Sequence, residues 1–198
     1  MRNLLLLITA GFVLFSCSQK DKDKKQSDKK VEKVAANEYT LTRDGIGAIK
    51  IGMSETELAK LLNQKFQFRM VVDSPGYWMD TVKAKYKEMD VSLIFQRLGP
   101  NDSTYMELMA VETSSPLCKT EYGVGVGDDR DAIIAPYDDR PISMGPDFEQ
   151  VNDTTWLPSK TKYSVSISDY DYMVGRDLMF HLVNKKIVSL GASINMGE

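Results

Sequence analysis

The hydrophobic pattern over residues 45–62 predicts a glycine-rich turn followed by an amphipathic helix. Ser54 and Glu57 have the spacing of a capping box, in which two side chains satisfy backbone N–H groups at the first turn of a helix. From Leu58 onward, leucines recur at i, i+3 and i+4, which places them on one helical face. We therefore predict a helix over about residues 54–63.

Apolar and polar residues alternate in three stretches after this helix, at about 78–87, 90–97 and 104–113. A period of two is typical of strands that bury one face. Turn-forming residues fill the loop at 98–103. The pattern indicates a helix followed by an antiparallel meander.

The same order of elements returns in shorter form in the second half of the chain. Gly127 and Ile133 have the same spacing as Gly52 and Leu58, and each residue of the second pair lies 75 positions after its counterpart in the first. Pro136 should end the second helix after about two turns, because proline lacks the N–H that continues the helical ladder. Three further strands are predicted at about 161–168, 177–183 and 187–194. We therefore predict an α+β fold of two helix-plus-antiparallel-meander units, about 39–114 and 115–198, packed as one domain spanning 38–198.

The N-terminal segment differs from the rest of the chain. Arg2 is followed by an apolar run over residues 4–15, which matches a secretion signal and is too short to span a bilayer. The run ends in Leu-Phe-Ser-Cys at Cys17, which resembles the lipobox of bacterial lipoproteins. The resemblance implies a signal peptide at 1–16, acylation of Cys17 and attachment to the outer membrane through the lipid.

Residues 17–37 are rich in Lys, Asp, Ser and Gln, a composition that predicts a disordered tether behind the lipidated Cys17. Its alternation of Lys and Asp resembles the charged export signals of surface lipoproteins in Bacteroidetes, which would imply exposure on the cell surface. The alternative is a solvated spacer on a periplasmic protein.

Charge is unevenly distributed and argues against one class of partner. The chain of 198 residues has a formal net charge of −3, and the segment before residue 38 contributes +4, so residues 38–198 carry −7. An acidic domain repels phosphate backbones at long range, so we expect no nucleic-acid binding.

Few residues are candidates for catalysis or for binding a cofactor or metal. Gly45 and Gly47 lack the third glycine of a dinucleotide fingerprint, and His181 is the only histidine, so we expect no cofactor and no catalytic residue. Five aspartates could donate oxygen ligands to calcium: Asp128, Asp129, Asp131, Asp169 and Asp171. Roles in turns and helix caps explain the presence of these aspartates better, so we expect no metal site. Cys118 has no partner once Cys17 is acylated, and we expect it to be a small buried residue.

Two aromatics and a methionine suggest recognition. Tyr77, Trp78 and Met79 follow a Pro-Gly turn, and such residues are common at interface centres. The alternative is that Trp78 packs inward. Trp156 invites the same two interpretations.

The glycine-rich turn, capped helix and meander resemble the helix-plus-sheet units of BLIP-like and BamE/SmpA-type envelope proteins. The resemblance implies an extracytoplasmic module that binds another envelope or extracellular protein. Two alternatives stay open: a hydrolase that uses paired carboxylates, and an inhibitor of an external enzyme.

The lipobox predicts a direct labelling result. Cells that express the wild-type chain should incorporate labelled palmitate into it, and the Cys17→Ala variant should remain unlabelled because the acceptor sulfur is gone. Equal labelling of the two chains would refute lipidation at Cys17.

Overall fold

The computed structural model describes residues 31–68, 79–98, 105–168 and 175–195 of the chain. These residues form eleven strands, two α-helices and one 3-10 turn. The elements are β1 Thr40–Thr42, β2 Gly45–Ile46, β3 Ile49–Lys50, α1 Glu55–Leu62, β4 Met79–Tyr86, β5 Met89–Leu98, β6 Tyr105–Thr113, β7 Lys119–Thr120, α2 Arg130–Ile134, the 3-10 turn Ala135–Tyr137, β8 Ile142–Asn152, β9 Thr155–Ile167, β10 Gly175–Val183 and β11 Lys186–Asn195.

An antiparallel sheet of seven strands forms the centre of the molecule, in the order β4-β5-β6-β11-β10-β9-β8. The predicted strands at 78–87, 90–97 and 104–113 are confirmed as β4, β5 and β6, and those at 177–183 and 187–194 as β10 and β11. Asn184 and Lys185 connect β10 to β11 with φ angles of 51° and 68°, the positive values that a tight two-residue hairpin requires.

A smaller sheet of four short strands, in the order β3-β2-β1-β7, lies against β6 and β11. Its β1 and β7 run parallel, and the other pairs are antiparallel. Gly45 has a φ of 135°, and a Cβ at this position would lie 2.0 Å from the Ile49 carbonyl oxygen. Only glycine fits so close an approach of residue 45 to the Ile49 carbonyl oxygen. The glycine-rich stretch can therefore form the paired strands β2 and β3 as well as turns.

Both helices are short. In α1 the predicted capping box is confirmed: the Ser54 side chain accepts from the Glu57 N–H, and the Glu57 carboxylate accepts from the Ser54 N–H at 2.8 Å. Asp129 occupies the N-cap position of α2 without a capping hydrogen bond, and its carboxylate pairs with Lys186 at 3.0 Å. Pro136 lies in the 3-10 turn that follows α2. None of the helices in the described ranges is long and apolar enough to cross a membrane.

The predicted α+β fold of two helix-plus-antiparallel-meander units is wrong, because strands dominate the described chain and form two sheets. The α1 helix has eight residues and α2 has five. A helix of that length is at most about 12 Å long, whereas seven strands span about 29 Å, so neither helix can cover the sheet.

The sequence analysis did not predict strand β8 or the first half of β9. Gly145, Pro146 and Pro158 interrupt the alternation there and suggest a loop. In the structure, β8 is an edge strand, and its pairing with β9 shifts register between Pro146 and Phe148. Edge strands and register shifts are the places where a sheet tolerates proline.

One hydrophobic core joins both sheets and both helices. It includes Leu41 of β1, Phe95 of β5, Phe180 of β10, Leu58 of α1 and Ile133 of α2, all fully buried. The large sheet therefore packs its apolar face against these elements and turns its other face outward.

Gly191 offers a test of the contact between β6 and β11. A Cβ there would lie 2.3 Å from the Val111 carbonyl oxygen, so Gly191→Ala should destabilise the fold by about 1–3 kcal/mol through overpacking. Gly145→Ala is the matched control, because a Cβ there meets nothing within 4 Å. Urea unfolding should separate the two variants, and equal midpoints would contradict this account.

Candidate functional site

The structure describes only part of the predicted site. Cys17, Tyr77 and Trp78 lie outside the described residues. Met79 begins β4 at one edge of the large sheet, and 55 % of its surface is exposed. Trp156 lies in β9, next to the opposite edge strand β8. Met79 and Trp156 therefore belong to separate surfaces.

The β8–β9 hairpin extends beyond the rest of the sheet. Strand β10 pairs with β9 only over residues 162–167, whereas β8 pairs with β9 as far as Asn152 and Thr155. At the tip, Asn152 Oδ1 accepts from the Thr154 N–H at 3.0 Å, which closes the turn. Within the described strands, residues 148–158, which we call the hairpin arm, thus form ladder pairs only with each other.

Four large apolar side chains of the hairpin arm are more than half exposed. They are Phe148 at 63 %, Val151 at 59 %, Trp156 at 57 % and Leu157 at 52 %. Phe148 pairs with Pro158, and Gln150 with Trp156, so the two aromatics share one face of the arm while Leu157 lies on the other. Large apolar side chains exposed close together, as Phe148 and Trp156 are, are typical of interaction sites.

The charge of the hairpin arm is negative. It contains Glu149 and Asp153 and no Lys, Arg or His. At its base the Glu149 carboxylate pairs with Lys162 Nζ at 2.9 Å. The arm therefore combines exposed aromatic surface with acidic side chains.

A groove of about 380 Å³ lies beside the base of the arm. Met144, Tyr163 and Leu182 supply its apolar lining. Arg130, Lys160 and Lys185 also line it, and no acid does so among the described residues. The described lining of the groove is thus apolar and positively charged, whereas the arm beside it is acidic.

His181 is half-buried on the outward face of the large sheet, where it joins a row of polar side chains from four strands. Its Nδ1 lies 3.0 Å from Ser164 Oγ, and its Nε2 lies 3.6 Å from Glu112 Oε1. Ser164 Oγ donates to Asp147 Oδ1 at 2.6 Å. Glu112 can reach across β11 because the residue opposite it there is Gly191. The sequence alone did not predict these partners of His181.

We call Glu112, His181, Ser164 and Asp147 the polar row. The polar row resembles a Ser-His-Glu catalytic arrangement, but its protons are donated in the wrong direction to activate Ser164 as a nucleophile. Ser164 gives its only proton to Asp147, so its oxygen accepts from His181 Nδ1, and His181 cannot act as its base. Ser164 is also paired in register with both Gly145 and His181, within two backbone ladders. Its backbone groups therefore do not form an oxyanion hole.

The remaining candidates have structural roles. Cys118 is fully buried as predicted, and burial raises the pKa of its thiol to about 12. Asp128 accepts a hydrogen bond from the Gly125 N–H, and Asp131 pairs with Arg130. Among the described residues no cluster of His, Cys, Asp or Glu has the geometry to hold a metal ion. Asp169 and Asp171 lie outside those residues.

A scan of protein-family models matched none, and searches of curated proteins and of solved structures gave no match. The resemblance to BLIP-like and BamE/SmpA-type proteins therefore stays a prediction.

The contact between His181 and Glu112 predicts a pH dependence of stability. The contact with the Glu112 carboxylate raises the pKa of His181 above its usual value, and the same contact lowers the pKa of Glu112. The His181 contribution is complete below about pH 6.5 and is lost as pH rises through the raised pKa. The Glu112 contribution is complete above about pH 4.3 and is lost as pH falls through the lowered pKa.

We therefore expect His181→Gln to cost more stability at pH 5.5 than at pH 8.5, with a difference of up to about 1 kcal/mol. Glu112→Gln should remove the same pH dependence, since the two groups act as a pair. Denaturant unfolding at both pH values measures the effect. A cost that is constant or that grows with pH would contradict the pairing.

Proposed function

We propose that this protein is a cell-envelope lipoprotein that acts as a non-enzymatic binding module for another envelope or extracellular protein. The observation that carries the proposal is the hairpin arm, where Phe148, Val151, Trp156 and Leu157 are exposed. The lipobox at Cys17 supports the envelope location and an anchor in the outer membrane.

A protein partner suits the hairpin arm better than a lipid surface does. Trp and Phe are anchors of many protein interfaces, and a two-stranded ribbon beyond its sheet gains stability when a partner covers it. Glu149 and Asp153 would be repelled by anionic lipids. Strand β8 is also the last of the described strands in its sheet, and an edge of this kind offers backbone groups to which a partner strand can add.

The alternative of a hydrolase with paired carboxylates has less support. Such an enzyme needs a carboxyl group whose pKa is raised, so that it can donate a proton. In the polar row the pKa of Glu112 is lowered by His181. An inhibitor of an external enzyme would use the same arm, so the identity of the partner distinguishes that function from simple binding.

Site-specific photocrosslinking in intact cells tests the proposal. A photoreactive residue at position 148 or 157 should give one discrete adduct with a second protein, because both positions lie on the exposed arm. Position 61 is the matched control: Leu61 is 40 % exposed but lies on α1. The double variant Phe148→Ser with Trp156→Ser should weaken capture at least about thirtyfold while its melting temperature changes little.

Two results would contradict the proposed function. One is an equal yield of adducts from position 61. The other is an adduct of twice the mass of the chain, which would identify a second copy as the occupant of the arm.

A further inference from the structure

The hairpin arm joins the large sheet at an interruption of the β8–β9 ladder. The two strands pair as far as Pro146, opposite Tyr163, and pair again from Phe148 onward. Asp147 of β8 and residues 159–162 of β9 lie in the gap between these pairs. Such an irregularity disrupts the backbone hydrogen bonds of the ladder and lets a strand bend, so the arm is attached through a hinge.

Side-chain contacts hold the two strands together across this hinge. The Glu149 carboxylate lies 2.9 Å from Lys162 Nζ. Ser164 Oγ donates to Asp147 Oδ1 at 2.6 Å. The second of these contacts belongs to the polar row, so it connects the base of the arm to His181.

The proton positions in the polar row follow from the hydrogen-bonding capacity of each group. A carboxylate only accepts hydrogen bonds, so the single proton of Ser164 points at Asp147. The Ser164 oxygen then accepts from His181 Nδ1, which lies 3.0 Å away and carries a proton. His181 Nε2 lies 3.6 Å from the Glu112 carboxylate, and this contact is attractive when Nε2 carries a proton as well. All three contacts are therefore favourable together only when the imidazole is doubly protonated.

Loss of one proton from His181 leaves a choice of two tautomers, and each of them breaks a contact. With the remaining proton on Nδ1, the lone pair of Nε2 faces the Glu112 carboxylate. With the proton on Nε2, Nδ1 and Asp147 compete for the single proton of Ser164. Repulsion between a lone pair and a carboxylate favours the second tautomer. The neutral ring therefore weakens the link between Ser164 and Asp147.

The charged groups around His181 favour its protonated form. Glu112 faces it from β6 and Asp147 acts on it from β8, whereas its neighbours on β9 and β11 are serines. The contact with Glu112 and the charge of Asp147 both raise the pKa of His181. Lys83 of β4 acts on the Glu112 carboxylate. The ring therefore changes charge at a pH above about 6.5, the usual pKa of histidine.

We infer that His181 is a proton-controlled latch for the hairpin arm: its protonated form holds Ser164 to Asp147 across the hinge, and its neutral form releases that link. Because the arm is the proposed partner surface, the consequence for binding rests on the proposed function. A partner binds best to an arm that is already in place, and its apparent affinity falls with the fraction of chains in which the arm is held. We therefore expect stronger capture of the partner at acid pH than at alkaline pH.

NMR of the full chain without a partner tests the latch. The ring nitrogen shifts of His181 give its protonation and its neutral tautomer, and relaxation of the backbone nitrogens gives the order parameters of residues 148–158. Between about pH 5 and about pH 9 these order parameters should fall from about 0.85, the value of a rigid backbone, toward about 0.6. The fall should have the same midpoint as the titration of His181, and the neutral ring should carry its proton on Nε2.

Two serines of β9 provide matched variants. Ser164→Ala removes the latch but keeps the contact between His181 and Glu112, so the ring should still titrate while the arm stays mobile at every pH. Ser166→Ala is the control, because Ser166 donates to Asp177 at 2.7 Å outside the polar row. This control should behave like the wild type. In cells, the adduct yield from position 157 should fall as pH rises in the wild type and should not vary with pH in Ser164→Ala.

Several results would overturn the latch. They are order parameters of the arm that stay constant through the His181 titration, a neutral ring with its proton on Nδ1, and a Ser164→Ala variant that behaves like the wild type or like Ser166→Ala. None of these results would remove the adducts expected from positions 148 and 157. A working latch in a chain that gives no adduct would instead contradict the proposed function alone, and an adduct yield that does not vary with pH would overturn the consequence for binding.

Discussion

The pairing of β6 with β11 is the contact on which the rest of the structure depends. It joins strands that are about 80 residues apart in the chain, with Val111 opposite Ala192, and so makes one sheet from two meanders. The approach is close enough that Gly191 has no room for a Cβ. Because the sheet is continuous, one apolar face can be buried in a single core.

The continuous sheet also brings polar side chains from several strands together. Asp147, Ser164 and His181 come from three neighbouring strands, and Glu112 reaches His181 across β11, where Gly191 lies opposite Glu112. His181 lies between the Glu112 carboxylate, an ion-pair contact, and the Ser164 hydroxyl, a hydrogen bond. That arrangement favours a protonated imidazole and a sheet whose stability depends on pH.

The hairpin arm and the concave surface beside β1 differ in physical character. The hairpin arm has exposed apolar side chains and two acidic ones, and among the described strands only β8 and β9 pair there. A cavity of about 580 Å³ lies where β1, the 3-10 turn and β10 meet, and its described lining includes four basic and two acidic side chains.

The sequence by itself determined the local features. The capping box of Ser54 and Glu57 and most strands of the large sheet follow from side-chain chemistry within a few residues, and the structure confirms them. A hairpin between Phe148 and Trp156 was not predicted; the turn-forming residues Asn152 and Asp153 are the local signal that could have indicated it. The helix-plus-meander units, in contrast, were a wrong extrapolation from local pattern to architecture.

Only the tertiary structure decided how the elements combine. Strand order, the partners of His181 and the grouping of Arg43, Arg140 and Tyr137 depend on contacts between residues distant in sequence. Hydrophobic periodicity identifies which face of a strand is buried, but not which strand lies beside it. It also cannot show where an apolar stretch remains uncovered, because burial is a property of the whole fold.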